Sequence, residues 1–157
     1  MLAALGRGIP SGEGWQFELK WDGYRAIGAV DNGAAQLVSR NGNDLTGRFP
    51  KVAADLATAA EGHTSLVVDG EICALDGAGR PRFSAMQVAL PKTPIVYAVF
   101  DLLELDGHST IGLPLHERRE LLERLIGDTT SSLRFSESFA DGAALLRAVK
   151  EQGLEGI

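Results

Sequence analysis

The sequence predicts an α+β fold in which antiparallel strands carry packed helices, and three observations lead there. Residues 24–30 and 36–39 flank Asn32-Gly33, a pair suited to the positive φ angles of a tight hairpin. Phe49, Val52, Leu56 and Ala60 then recur at helical spacing, with Pro50 tolerable in the first turn. Several hairpins with helices interspersed fit this class better than the regular alternation of a parallel doubly wound sheet.

Taken in order, residues 1–14 form an irregular lead-in rich in Gly, Pro and Ser towards its end. Residues 15–19 alternate large apolar and polar side chains, as a strand does, and Arg40-Asn41-Gly42 supplies a turn before the helix of residues 49–60. Residues 65–75 read as a strand closing on Asp76-Gly77-Ala78-Gly79, and residues 83–89 as a short helix stopped by Pro91. Residues 95–105 have the β-branched and aromatic content of a buried strand and end at Asp106-Gly107. Residues 115–126 place Leu115, Leu121, Leu122, Leu125 and Ile126 on one broad helical face. Asp141 can cap a last helix reaching Gln152, with Gly153 as its terminator, and residues 154–157 read as the start of a further strand.

At 157 residues, 45% of them apolar, the chain can bury one sizeable core. Its longest apolar stretches are broken by Asp69, Glu71 and Asp101, short of the roughly 18 residues that a membrane-spanning helix needs. With no leader pattern at the N-terminus, the expected compartment is the cytoplasm. The lone Cys73 lies among Ile72, Ala74 and Leu75 and reads as packed core. A net charge of −6 argues against a generic nucleic-acid-binding module, since affinity for phosphate backbones comes mostly from Lys and Arg.

The chemistry concentrates in Lys20-Trp21-Asp22-Gly23-Tyr24-Arg25. A lysine at the end of a strand, ahead of a tight connection, is held in a fixed place, and a lysine amine near other cations or desolvated becomes a nucleophile. Gly23 allows the backbone to approach a ligand, and the planar fork of Arg25 suits phosphate or ribose oxygens. A solvated hairpin with Lys20 exposed is the alternative these residues leave open.

The pattern Lys-x-Asp-Gly-x-Arg resembles the first motif of the covalent nucleotidyltransferases, the family of ATP-dependent DNA ligases, RNA ligases and messenger-RNA capping enzymes. In the family's order follow Ser39-Arg40-Asn41-Gly42, Val68-Asp69-Gly70-Glu71-Ile72, Val99-Phe100-Asp101-Leu102-Leu103 and Leu154-Glu155-Gly156-Ile157. The wording around Lys20 and Phe100 is most similar to bacterial ligases of the ligase D type, which act in non-homologous end joining.

The resemblance implies an ATP-grasp-like adenylation domain over residues 15–157, broken off at the start of the Glu-Gly motif and without an oligonucleotide-binding barrel. It implies ATP as the nucleotide, a divalent magnesium or manganese ion, and nicked or broken double-stranded DNA as the substrate, with end-joining proteins as partners. By the same resemblance Lys20 forms the phosphoramidate with AMP, Glu18 reads the adenine amino group, Arg25 and Arg40 contact sugar and phosphate, and Phe100 stacks on adenine. Glu71 holds ribose or metal and Glu155 supplies a carboxylate to the metal. The family's lysine pair beyond the Glu-Gly motif has no counterpart in these residues. An RNA ligase or capping-type enzyme, or a truncated copy that only binds nucleotide, are the alternative readings.

The remaining polar residues have plainer readings. Asp101 satisfies backbone donors at a strand end. His63, His108 and His116 have no ligand-spaced partner and belong to the surface. The charges of residues 116–120, with Glu123 and Arg124, form a solvated helix face. Trp15 and Trp21 either pack on strands or meet nucleotide or DNA.

Overall fold

The computed structural model describes residues 6, 8–87, 93–127 and 132–157. They divide into two compact units: Trp21–Ser136, and the segment up to Lys20 together with Glu137–Ile157. In chain order the elements are β1 (Phe17–Glu18), β2 (Tyr24–Asp31), β3 (Ala34–Ser39), α1 (Pro50–Ala59), β4 (Ser65–Ala74), α2 (Phe83–Gln87), β5 (Ile95–Leu105), β6 (His108–Ser109), α3 (Leu115–Ile126), β7 (Leu133–Phe135), β8 (Ser138–Phe139) and α4 (Gly142–Glu151).

The larger unit is built on a sheet ordered β3-β2-β4-β5-β6, antiparallel throughout, with β7 added in parallel against β5. Asn32 at φ 46° and Gly33 at φ 81° make the two-residue turn between β2 and β3, which matches the right-handed twist of the strands they join. Asp106 and Gly107, at φ 52° and 77°, repeat the device between β5 and β6. The parallel partner was not anticipated: β7 is three residues long, too short for a periodic signal, and it returns to β5 only after α3.

Helix α1 starts at Pro50 and buries Val52, Ala53, Leu56 and Ala59 in the apolar cluster formed with the sheet and with Leu122 and Ile126 of α3. Leu56, Leu122 and Ile126 are at most 1% exposed, so each gains about 1.5–3 kcal/mol of transfer free energy. Leu115, expected on the same buried face of α3, is 43% exposed. At the centre lies Tyr97, fully buried, its phenol donating to the Ala26 carbonyl at 2.9 Å. Its ring crosses the sheet over two glycines: a Cβ at Gly28 would lie 3.1 Å from Tyr97 Cε1, and one at Gly70 2.6 Å from Cε2. The glycine between Asp69 and Glu71 is thus fixed by core packing. Cys73 is fully buried as expected, and burial pushes its thiol far up.

In the smaller unit β1 pairs antiparallel with β8, Phe17 opposite Phe139. The strand expected over residues 15–19 shrinks to two residues, and Trp15 is 53% exposed. Asp141 caps α4, its Oδ1 accepting the Ala144 N–H at 2.9 Å, and Gly153 ends the helix region at φ 63°. The last four residues form no strand; instead the Lys20 N–H donates to the Gly156 carbonyl at 2.9 Å. Residues 88 and 89, expected to continue α2, lie outside the described residues. Among the described residues no helix is long and apolar enough to cross a membrane.

Candidate functional site

In the larger unit the connection leading into β2 is fastened at each of its polar positions. The Asp22 carboxylate accepts the N–H of Phe83 at 2.8 Å, at the start of α2. Gly23 is required by close approach to β4: a Cβ there would run into the Ile72 carbonyl and come within 2.9 Å of Cys73 Sγ. Strand packing by itself thus gives this position a reason to be glycine, beside the approach to a ligand expected from the sequence. Tyr24 meets Phe83 edge-on, ring centroids 5.3 Å apart, and the Arg48 guanidinium covers the Tyr24 ring at 4.7 Å.

Register and alternation then sort β2 and β4. Arg25 is opposite Glu71 and Ile27 opposite Asp69, so these four side chains share the sheet face away from Tyr97. On that face Arg25 grips Asp69 by a two-point fork, Nε to Oδ1 at 3.1 Å and Nη2 to Oδ2 at 2.5 Å. This pairing, unread in the sequence, raises the Arg25 guanidinium still further. Burial pushes the Glu71 carboxyl up to about 7, assisted by the charges of Asp22 and Asp69 and opposed by a backbone hydrogen bond at Gly23 and by Arg25.

Phe100 joins this face through a break in the ladder. Asp69 pairs with Asp101 but Gly70 pairs with Val99, which leaves Phe100 as the extra residue of a β-bulge. Its half-buried ring lies against Arg25, whose Cζ is 5.5 Å from the ring centroid. Arg40 sits exposed on the turn after β3, its N–H donating to the Arg25 carbonyl at 3.2 Å. The larger unit therefore brings Arg25, Glu71 and Phe100 together and holds Arg40 on the turn next to Arg25 in the backbone network.

In the smaller unit Lys20 follows β1 and its amine is ion-paired with Glu155, the two side chains 48% and 40% exposed. Glu18, half-buried in β1, is opposite Ser138 of β8. The two ends of this unit, far apart in sequence, thus meet at Lys20 through both the Glu155 carboxylate and the Gly156 carbonyl.

The solvated helix face expected for residues 116–120 is corrected at two positions. Arg118 forks onto Asp101, Nε to Oδ1 at 2.7 Å and Nη2 to Oδ2 at 2.9 Å, while Asp101 Oδ1 also accepts the Leu102 N–H. Arg119 is only 4% exposed and donates to the carbonyls of Phe100 and Ser136. Only a guanidinium among the cationic side chains offers enough donors, in a plane, to bridge two carbonyls while stacking on a ring, here Phe135 at 4.8 Å. His63, expected as plain surface, pairs with Asp106 at 2.8 Å.

Taken separately, the smaller unit offers an exposed amine beside a carboxylate, and the larger unit a cation, an aromatic ring and a carboxyl that burial pushes up to about 7. Among the described residues no three His, Cys, Asp or Glu gather to hold a metal ion.

The family model described as ATP dependent DNA ligase domain matches residues 1–157. The multifunctional non-homologous end joining DNA repair protein LigD of Mycobacterium tuberculosis is 41% identical over 144 residues, covering 91% of this chain and 18% of that protein. Its counterpart in Pseudomonas aeruginosa is 40% identical over 161 residues, covering 99% of this chain and 19% of its own. The chain therefore spans about a fifth of the length of these relatives. Two solved structures, the ligase domain of M. tuberculosis LigD and mycobacterial DNA ligase D complexed with ATP and MES, each superpose with a TM-score of 0.78 at 40% identity, over 90% of this chain and 46% of theirs.

Proposed function

Because the chain belongs to the ATP-dependent DNA ligase domain family, we propose that it carries the self-adenylating step of such an enzyme, with Lys20 taking AMP from ATP. The deprotonated Nζ of Lys20 attacks the α-phosphorus, forming a nitrogen–phosphorus bond. The bond from that phosphorus to the oxygen bridging to the β-phosphate breaks, pyrophosphate departs, and an amine proton passes to solvent. The AMP is then used to activate a 5′-phosphate at a nick or break in double-stranded DNA. Residues 15–157 serve as adenylation-domain sequence and residues 1–14 as a lead-in.

The observation that supports this reading best is the fold of Asp22-Gly23-Tyr24-Arg25 onto Asp69-Gly70-Glu71, which gathers Arg25, Glu71 and Phe100 on one face. In the proposed complex Phe100 stacks on adenine and Glu71 meets the ribose or a metal. Glu18 reads the adenine amino group, and Arg25 and Arg40 face the sugar and phosphate oxygens. Arg25 does so while anchored by Asp69, an arrangement that preorganises its guanidinium. Glu155, now on Lys20, and Glu71 supply the protein carboxylates for a magnesium or manganese ion; when bound, that ion offsets charge developing on the phosphoryl oxygens. That one of the similar structures holds ATP supports ATP as the nucleotide. The relatives' end-joining names support broken DNA as the substrate, and the compartment proposed for the reaction is the cytoplasm.

The test is incubation of the purified protein with ATP labelled at the α-phosphate, followed by peptide mapping. Label on Lys20, abolished by Lys20→Ala, is the expected result. Label on another residue, or undiminished labelling of Lys20→Ala, overturns the assignment.

A further inference from the structure

The bulge at Phe100 has a dedicated support that lies outside the sequence motifs. β7 runs parallel to β5 up to the pair Val99 and Phe135, and the next ladder bond is the Ser136 N–H to the Val99 carbonyl at 2.9 Å. Beyond that point the two strands no longer pair. The guanidinium of Arg119, reaching in from α3, spans the gap by donating to the carbonyls of Phe100, at 3.1 Å, and of Ser136. Ser136 also accepts the Trp21 indole N–H on its hydroxyl at 3.0 Å. A single buried cation therefore sits between the bulged residue and the residue that holds Trp21.

A bulge re-aims a side chain, but it also removes the ladder bonds that would keep that side chain in place. Replacing them with a charge-assisted pair of bonds from a stacked, buried guanidinium restores rigidity at that one residue. We infer that Arg119 is a positioning residue, which holds the Phe100 bulge and Trp21 in fixed relation so that the Phe100 ring is presented to the nucleotide. This rests on the adenine-stacking role proposed for Phe100. Lysine at position 119 keeps the charge but lacks the planar fork that spans both carbonyls.

The experiment is a double-mutant cycle for ATP affinity on the full chain, with Arg119→Lys, Phe100→Leu and the pair, alongside the folding midpoint of each. Arg119→Lys is expected to weaken ATP binding about ten-fold, the scale of one charge-assisted hydrogen bond. In the Phe100→Leu background it is expected to change affinity less than about two-fold, because the ring it positions is gone. In a Trp15→Phe background, which leaves Trp21 as the single indole, Arg119→Lys and Ser136→Ala are each expected to shift Trp21 emission without nucleotide present. An equal loss of affinity in both backgrounds, or a lowered midpoint with affinity and Trp21 emission unchanged, overturns the inference. A wild-type chain that takes no ATP, or Phe100→Leu binding as wild type, sinks the nucleotide reading instead. The Trp21 emission then decides the bridge by itself. Should Arg119→Lys not fold, Ser136→Ala carries the emission measurement, and an unshifted Trp21 there overturns the bridge.

Discussion

Arg25 and Asp69, on neighbouring strands and 44 residues apart in sequence, are joined by two nearly parallel hydrogen bonds. The pair links the first motif to the third and sets where the Arg25 guanidinium lies against Phe100. The Asp69 side chain is 10% exposed and that of Arg25 27%, so removing the carboxylate leaves a largely desolvated cation. Asp69→Ala is expected to lower stability by about 2–3 kcal/mol, below the range for fully buried pairs because Arg25 still reaches water. Chemical denaturation measures it; a change under about 0.5 kcal/mol, the scatter of surface substitutions, would show the fork to be dispensable.

The packing of Tyr97 across Gly70 gives a second expectation. Gly70→Ala drives a methyl group into the ring at 2.6 Å and against the Ala98 carbonyl, with backbone on one side unable to yield. Overpacking of this kind costs about 1–3 kcal/mol. Gly77→Ala, on an exposed turn with nothing within 4 Å of the added carbon, is expected to stay within about 0.5 kcal/mol. Thermal midpoints of the two variants, side by side, separate a glycine required by the core from one that is not.

Glu71 should make stability depend on pH in the direction opposite to most carboxylates. Burial pushes its carboxyl up to about 7 in the folded chain, against an ordinary value of 4.5. Between those values the folded state binds more protons than the unfolded state, so the contribution of Glu71 is full below pH 4.5 and is lost as pH rises through 7. Partial exposure screens the effect to about 1–2 kcal/mol. Glu71→Gln removes the titration. The stability of wild type minus that of Glu71→Gln, followed by urea unfolding, is expected to fall over this window; a flat difference would mean that Glu71 titrates normally.

The Lys20–Glu155 pair is half exposed on both sides. Exposed pairs contribute about 0–1 kcal/mol, so Glu155→Ala is expected to leave the folding midpoint nearly unchanged. Under the proposed role of Glu155 the same substitution slows lysyl-AMP formation at least ten-fold, the weight of one lost charge-assisted contact. Single-turnover labelling with ATP reads the rate. An unaltered rate would remove Glu155 from the site.

What the sequence by itself determined were the features encoded within a few residues of each other. The Asn32-Gly33 and Asp106-Gly107 turns, the Asp141 cap, the Gly153 stop and the helical spacing of Val52 and Leu56 each rest on local backbone preference or on one periodicity. The ordered motifs likewise named Lys20, Arg25, Glu71 and Phe100 as residues to examine, and the chain's family followed from their order. The tertiary structure alone decided what each of those residues touches. Asp69 as the partner of Arg25 depends on the register of β2 against β4, and the aim of Phe100 depends on a one-residue slip of β4 against β5. Arg119 looked like a solvent-facing charge because helical spacing reports only which residues share a face. That its face meets the carbonyls of Phe100 and Ser136 at the end of a parallel ladder follows from strand pairing between distant segments, which no local pattern encodes.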